Sequence, residues 1–421
     1  MDIAGIPFVT VQFGRLGEPL DPQEGAAAVD MVRSQNLTDV LVFSHGWNNN
    51  IPAAMDLYTR FLTNARPLLD GPLKAAFEGR RLGAVGIVWP SMRYTEPELI
   101  PGGAASADLR PKLKEDLEAA QELFQGVTGS PIPDALEELA RNLAVLEDKG
   151  SVRRDFLNAV RAHLAASETE QHEVPIPQRN LTDDRVRERL ATNVQGVVTG
   201  GPEGHAAGLF SGALQVFRNL LNVTTYYEMK DRAGLVGRTG VRDLLRALRS
   251  ANPAVKLHLI GHSFGGRLVS SAARGPDGDA PLVITSLNLL QAAFSHYAFA
   301  EAKDDLPEGY FRPVLTDHLV SGPLLVTHTR HDLAVGLAYA VASALAGQDA
   351  AGIGDEHDRY GGLGGNGALN AGAVELTLQD DTPLAFEGGR VYNLHADIIK
   401  DHGDVTRTGV VRAVLHGVAA T

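Results

Sequence analysis

The residues best suited to covalent chemistry are a serine at a tight turn and, later in the chain, histidines and aspartates able to activate it. Ser263 lies in the sequence Gly261-His262-Ser263-Phe264-Gly265, between the apolar run VKLHLI and a run of small residues. A serine hydroxyl is a weak nucleophile unless a base takes its proton and a third group orients that base. The pattern G-x-S-x-G between a strand and a helix is typical of such a serine. The sequence therefore predicts a nucleophile at Ser263; the alternative is an ordinary serine in a glycine-rich turn.

An aspartate after a later strand would supply the orienting group. Asp332 follows the segment LLVTHTRH, whose apolar beginning predicts a buried strand. Because a helical pattern follows, the alternative role of Asp332 is to cap that helix. The other candidates for the acid are Asp317, Asp355, Asp358 and Asp397.

Two histidines in the segment HADIIKDHGDV compete for the role of the base. His395 lies at the predicted end of the last strand, where a side chain is often buried and only hydrogen-bonded. His402 lies just before the last predicted helix, far enough along the chain to fold back over the sheet edge. We favour His402. A histidine base predicts that kcat/KM falls as the pH drops through about 6–7.

Strand-like and helix-like patterns alternate over most of the chain, which is typical of parallel α/β proteins. Val40–Ser44 is predicted to be a buried strand that ends at His45-Gly46-Trp47, and Leu82–Trp89 is predicted to be the next strand. Between residues 91 and 223 the pattern changes to amphipathic helices. The sequence thus predicts a core formed by residues 1–90 and 224–421, with a helical insertion over residues 91–223.

Local signals predict three further boundaries. Asp21-Pro22 is expected to open the first helix, and Asp404 to cap the last one. The glycine-rich segment Ala351–Gly372 is expected to be a loop.

The amino-acid composition excludes several classes of function. The 421 residues carry a net charge of −13 and include no cysteine, which excludes thiolate metal sites and a cysteine nucleophile. Nucleic-acid affinity comes largely from Lys and Arg, so no nucleic-acid partner is expected. The longest apolar stretch, Leu333–Gly347, falls short of the ~20 residues that a membrane span needs. No signal peptide is evident, which predicts a cytoplasmic protein, although a secreted chain that had lost its leader would look the same.

The strand ending at His45-Gly46-Trp47, the GHSFGG turn, and the later aspartate and histidine together resemble the α/β-hydrolase superfamily. Within it, the chain resembles bacterial serine esterases and lipases with a helical cap. The resemblance covers roughly Val40–Trp89 and Thr224–Val418. It implies a mostly parallel central sheet flanked by helices, with the insertion as a cap or lid. The antiparallel hairpin that this superfamily usually has before the first of these strands is not evident.

The resemblance also implies site residues. The triad would be Ser263, Asp332 and His402, and the oxyanion hole would use the backbone N–H groups of Trp47 and Phe264. Further residues near these positions are interpreted less specifically: Phe294 and Tyr297 as pocket lining, His45 as pocket lining or a structural residue, and His328 and His331 as too weakly arranged to predict a metal site.

The implied activity is hydrolysis of carboxylic esters with hydrophobic acyl or aryl groups, without a cofactor or metal ion. The same fold also serves acyl transfer to another acceptor and cleavage of thioesters or amides. A different alternative is a non-catalytic scaffold that binds a protein partner through its helical insertion.

Overall fold

A computed structural model gives the fold. It describes residues 1–47, 49–91, 225–303, 306–332 and 361–421, together with part of the segment between 114 and 162. The chain divides into two compact units. The first contains Met1–Met92, Arg232–Val335 and Gly362–Thr421, and the second contains Arg93–Asp231 and Gly336–Gly361. Residues 333–360, which the sequence placed in the core, lie outside the described residues.

In the described part of the first unit, one sheet contains nine strands in the order β1-β2-β4-β3-β5-β6-β7-β9-β8. All neighbouring pairs are parallel except β1 and β2. The strands are β1 (Asp2–Ile3), β2 (Ile6–Gln12), β3 (Asp39–Ser44), β4 (Leu82–Val88), β5 (Lys256–His262), β6 (Ser286–Leu290), β7 (Leu324–His328), β8 (Val374–Thr377) and β9 (Val391–His395).

Helices flank this sheet. The helices with both ends described are α1 (Pro22–Ser34), α2 (Ile51–Asp70), α3 (Ile132–Arg141), α4 (Arg242–Ala251), α5 (Phe264–Arg274), α6 (Pro313–Thr316), α7 (Leu363–Asn366) and α8 (Thr408–Ala419). A 3₁₀ turn covers Lys74–Phe77, and a π turn covers Gly237–Val241 just before α4.

The central strands are buried on both faces, as their continuous apolar sequence predicts for a parallel sheet. All six residues of β3 are buried. Leu41 and Phe43 join a core with the apolar faces of α2 and α8. Val40 and Val42 point to the opposite face, because side chains alternate along a strand. A second group of helices, α1, α4 and α5, packs together with the π turn.

The second unit contains α3, whose spacing of apolar residues matches the helix predicted there. Ile132, Leu136 and Leu139 are buried along one side of α3. The described part of an earlier helix in this unit buries Leu117 and Phe124. The long polar stretch of the predicted insertion lies outside the described residues.

Two local predictions are wrong, and one is confirmed. Asp21 caps α1 by accepting a hydrogen bond from the backbone of Gln23. Asp404 does not cap the last helix, because α8 begins only at Thr408 and Asp404 instead accepts from the backbone N–H of Lys400. The segment expected to be a glycine-rich loop contains the short helix α7, which packs beside β7. No helix in the described ranges is both long and apolar enough to cross a bilayer.

Candidate active site

The candidate site lies where the direction of strand connection reverses. β3 pairs with β4 on one side and with β5 on the other, and the chain then continues outward through β6 and β7. In open α/β sheets, such a switch point leaves a crevice at the carboxyl ends of the strands. The register sets Ser44 opposite Gly261, so that the His45-Gly46-Trp47 segment and the Ser263 turn are neighbours.

Ser263 is held in a strained backbone conformation between β5 and α5. Its φ is +56° and its ψ is −125°, in a region that residues with a Cβ rarely adopt. Its carbonyl oxygen accepts hydrogen bonds from the backbones of Gly266 and Ala293, and its N–H donates to Leu290. These bonds tie the turn both to the first turn of α5 and to the end of β6. The surroundings therefore fix a conformation that the serine alone would avoid.

Glycines allow the loop after β3 to approach this turn closely. A Cβ on Gly46 would lie 2.5 Å from the Cβ of Ser263. A Cβ on Gly265 would lie 2.2 Å from the carbonyl oxygen of Ser44. The rings of Trp47 and Phe264 are in contact, with centroids 5.9 Å apart. The two residues predicted to form the oxyanion hole are thus neighbours beside Ser263.

His402 and Asp332 form a hydrogen-bonded pair. The Nδ1 atom of His402 lies 3.0 and 2.9 Å from the two carboxylate oxygens of Asp332. The Asp332 side chain is fully buried, whereas the His402 side chain is 23% exposed. A proton on Nδ1 donated to the carboxylate leaves Nε2 of the imidazole as the atom that exchanges protons.

His262, the residue before Ser263, connects this pair to the nucleophile turn. Its ring lies 4.8 Å from the ring of His402, centroid to centroid, and its Nε2 lies 2.7 Å from the His402 carbonyl oxygen. Burial, reinforced by the charge of His402, lowers the pKa of His262 to about 3. The neutral ring therefore donates its Nε2–H to that carbonyl and fixes the loop that carries His402.

The predicted triad is thus only partly assembled in this structure. Asp332 and His402 are in direct contact, and His402 packs against the neighbour of Ser263. Within the described ranges, no hydrogen bond joins the Ser263 hydroxyl to the His402 ring. Catalytic hydrogen bonds are often long without substrate and shorten when it binds.

The competing histidine has a different partner. His395 Nε2 lies 3.1 Å from a carboxylate oxygen of Asp397, and its ring stacks on His328. The Asp397 side chain is 48% exposed. Asp317 is exposed at the end of α6, and Asp355 and Asp358 lie outside the described residues. In the part of the chain that the structure describes, no three His, Asp or Glu side chains are arranged to hold a metal ion.

Two residues predicted to line the pocket have no surface with which to do so. His45 is fully buried: it stacks on Trp89 and accepts a hydrogen bond from its backbone N–H, and burial lowers its pKa to about 4. Phe294 is fully buried in a ring cluster with Phe299 and Phe311. Tyr297 is half-buried beside the ring of His296, and its role as pocket lining stays a prediction.

A polar residue that the sequence did not single out also reaches the site. Gln291 follows β6 directly, is fully buried, and donates from its side-chain amide to Asp332 over 3.0 Å. The only local signal was its position, a polar residue at the carboxyl end of the strand next to β5.

A second serine–histidine–aspartate array lies towards the amino-terminal ends of the central strands, away from the proposed site. Ser286 Oγ is 2.9 Å from His258 Nδ1, and His258 Nε2 is 3.0 Å from Asp39 Oδ1. All three residues are inaccessible to solvent. Burial raises the pKa of Asp39, but hydrogen bonds from His258, Arg80 and Thr38 outweigh burial and hold it well below its usual range. This array joins strands and has no access to a substrate.

Comparison with protein-family models, with curated proteins and with solved structures finds no match for this chain. The side chains at the switch point are therefore the basis on which a function is proposed.

Proposed function

We propose that this protein is a serine hydrolase of the α/β-hydrolase type that cleaves carboxylic esters through a covalent acyl-enzyme. The observation that carries the proposal is the His402–Asp332 pair, packed against the residue that precedes a strained Ser263. A buried carboxylate that holds one imidazole nitrogen leaves the other nitrogen to act on a nearby hydroxyl. A purely structural serine would not require the strained backbone of Ser263.

In the first half-reaction, Ser263 Oγ attacks the ester carbonyl carbon while Nε2 of His402 takes the hydroxyl proton. Asp332 stabilises the imidazolium that forms and keeps its proton-bearing Nδ1 in place. The oxyanion develops beside Trp47 and Phe264, whose backbone N–H groups are the proposed donors. The bond to the alcohol then breaks, and His402 returns the proton to the departing oxygen.

In the second half-reaction, water replaces the alcohol. His402 takes a proton from water as its oxygen attacks the acyl carbon, and the bond to Ser263 Oγ breaks. The proton returns to Ser263, and the carboxylic acid leaves. Because burial holds the pKa of His262 at about 3 and that of His45 at about 4, neither is a competing base near neutral pH.

Labelling with a fluorophosphonate probe tests the nucleophile. The wild-type protein should form one covalent adduct, and Ser263→Ala should form none and lose more than about 99% of ester turnover. A folded Ser263→Ala variant that still hydrolysed esters at more than a few per cent of the wild-type rate would refute the assignment.

Ser286→Ala is the matched control. It removes the hydroxyl from the buried Ser286–His258–Asp39 array, whose hydrogen bonds include none to Ser263, Asp332 or His402. We expect undiminished labelling and a loss of about 1 kcal/mol in unfolding free energy, because a buried hydrogen bond disappears.

The substrate class is tested with p-nitrophenyl esters of increasing acyl length. A preference for hydrophobic acyl groups predicts that kcat/KM rises from acetate towards longer chains. Turnover with added alcohols separates hydrolysis from acyl transfer, since a transferase would release the alkyl ester in place of the acid.

A further inference from the structure

Gln291 occupies an unfavourable backbone conformation at the end of β6. Its φ is +46°, in the left-handed region that non-glycine residues seldom occupy. Its side chain is fully buried. Such a backbone conformation persists only where the surrounding structure stabilises it. The contacts of the Gln291 side chain therefore indicate which groups stabilise it.

Both amide hydrogens and the oxygen of the Gln291 carboxamide are hydrogen-bonded. Its Nε2 donates to Asp332 Oδ2 and to the carbonyl oxygen of Gly364, each over 3.0 Å. Its Oε1 accepts from the Thr327 hydroxyl over 3.0 Å, and that hydroxyl also accepts from the Gln291 backbone N–H. The reversed amide would set its oxygen against two acceptors, so these neighbours define a single orientation.

Gln291 and His402 both contact the same carboxylate oxygen of Asp332. Asp332 Oδ2 accepts from Gln291 and lies 2.9 Å from His402 Nδ1. Gly364 has no Cβ at this point, and one added there would lie 3.0 Å from Asp332 Oδ2 and 2.8 Å from the Gln291 carbonyl carbon. The loop at Gly364 thus packs directly on the Gln291–Asp332 contact.

We propose that Gln291 is a positioning residue for the proposed triad: its side-chain amide fixes the Asp332 carboxylate in the rotation that holds His402. This inference rests on the proposed function. Gln291 acts through Asp332 and touches no substrate, so its loss should lower kcat and leave KM nearly unchanged.

Gln291→Glu tests the role of the amide protons in a side chain of the same shape. A neutral glutamic acid can donate its O–H to Asp332, whereas an ionised one cannot and repels the carboxylate. We expect kcat of Gln291→Glu, relative to wild type, to fall by about tenfold or more between pH 6 and pH 9, with KM unchanged.

Asn393→Asp is the matched control. Asn393 is another buried amide: it holds the backbone of Ala368, donates to the Glu375 carboxylate and makes no hydrogen bond to Asp332. Its activity relative to wild type should not vary with pH. A flat ratio for folded Gln291→Glu, or an equal fall for both variants, would overturn the inference.

Thr327→Val provides a second variant if Gln291→Glu fails to fold. It keeps the side-chain shape but removes the hydroxyl that orients the Gln291 amide. A several-fold fall in kcat at constant KM supports the inference, and wild-type kcat contradicts it. An active Ser263→Ala would instead refute the proposed function itself, so the two failures are distinguishable.

Discussion

Ser263 and Ser286 each lie near a histidine that contacts an aspartate, but their settings differ. Ser263 has a positive φ on the turn after β5, at the carboxyl edge of the sheet, whereas Ser286 is the first residue of β6 and donates or accepts within a sealed interior. Residue types and contact distances alone would favour the Ser286 array, because its serine and histidine are hydrogen-bonded whereas those of the Ser263 array are not. Backbone conformation and position decide between them, because all three residues of the Ser286 array are inaccessible to solvent and ligands of open α/β sheets bind at the carboxyl ends of the strands.

Gly46→Ala should damage the site through a steric conflict. The new Cβ would lie 2.5 Å from the Ser263 Cβ and 3.0 Å from its Oγ, so the loop after β3 must move. We expect kcat/KM to fall by at least about tenfold, since a displacement of about 1 Å can reduce a rate ~100-fold. Steady-state kinetics with a p-nitrophenyl ester measures the change.

Gly25→Ala is its control, because a Cβ on Gly25 meets nothing within 4 Å. At the fourth residue of α1, alanine should raise the unfolding free energy by about 0.5–1 kcal/mol without changing turnover. Unchanged kinetics for Gly46→Ala would contradict the close packing of the loop on Ser263.

At the scale of elements, His45 connects the end of β3 to α2 and to the residue that follows β4. Its backbone N–H donates to the Tyr58 hydroxyl of α2, and its ring accepts from the backbone N–H of Trp89, just after β4. The Trp89 indole N–H donates in turn to the His45 carbonyl oxygen. This arrangement fixes the start of the Gly46-Trp47 loop, and it requires a neutral imidazole.

Stability should therefore fall in mild acid. The pKa of His45 is about 4 in the folded protein, against 6.5 as its ordinary value. Between these two pH values the unfolded chain binds a proton that the folded chain does not, so the unfolding free energy decreases as the pH falls. The slope is at most about 1.4 kcal/mol per pH unit for each such histidine. The buried His262 and His328, with lowered pKa values of about 3 and about 4, act in the same direction.

Urea unfolding at pH 7.5 and pH 5.5 measures this effect. His45→Asn should be less stable than wild type at pH 7.5 and lose less stability on acidification. Parallel losses in the two proteins would show that His45 does not carry the pH dependence.

The elements that the sequence predicted best are those with strong local patterns. The predicted strand Val40–Ser44 is observed as Asp39–Ser44, and the predicted strand Leu82–Trp89 is observed as Leu82–Val88. The strand β8 was missed because it is four residues long and half-exposed at the sheet edge. Asp404 resembles an N-cap in sequence, but the chain makes another turn before α8 begins.

Site residues divide in a similar way. The contact between His402 and Asp332 was expected from their positions after late strands, and the structure contains it. Gln291 was missed because its role depends on a positive φ and on a partner 41 residues away. Phe294 was interpreted as pocket lining because it follows a strand, yet its ring turns inward to Phe299 and Phe311.

For the whole molecule, the amino-terminal edge of the sheet carries a stabilising ionic network. Asp39 at the start of β3 contacts Arg80, which precedes β4, and His258 of β5. The Asp39 side chain is 1% exposed and that of Arg80 is 13% exposed. The network therefore joins three adjacent strands at the edge opposite the proposed site.

Asp39→Ala should destabilise the protein by about 3 kcal/mol, because it leaves a largely buried guanidinium without its carboxylate. Asp30→Ala removes an exposed pair with Arg33 and should change the unfolding free energy by less than about 1 kcal/mol. Chemical denaturation measures both. Equal losses of unfolding free energy in the two variants would contradict a special role for the buried network. Folded Asp39→Ala should retain wild-type turnover.

Hydrogen bonds around the candidate site connect residues 41, 70 and 140 positions apart in the chain. Closing such distant contacts is entropically slow, so they form late when the polypeptide collapses. A chain in which most helices had formed but these contacts had not would lack the proposed triad. After dilution from denaturant, recovery of turnover would thus follow the pairing of the last strand, β9, and would lag behind the recovery of helical secondary structure.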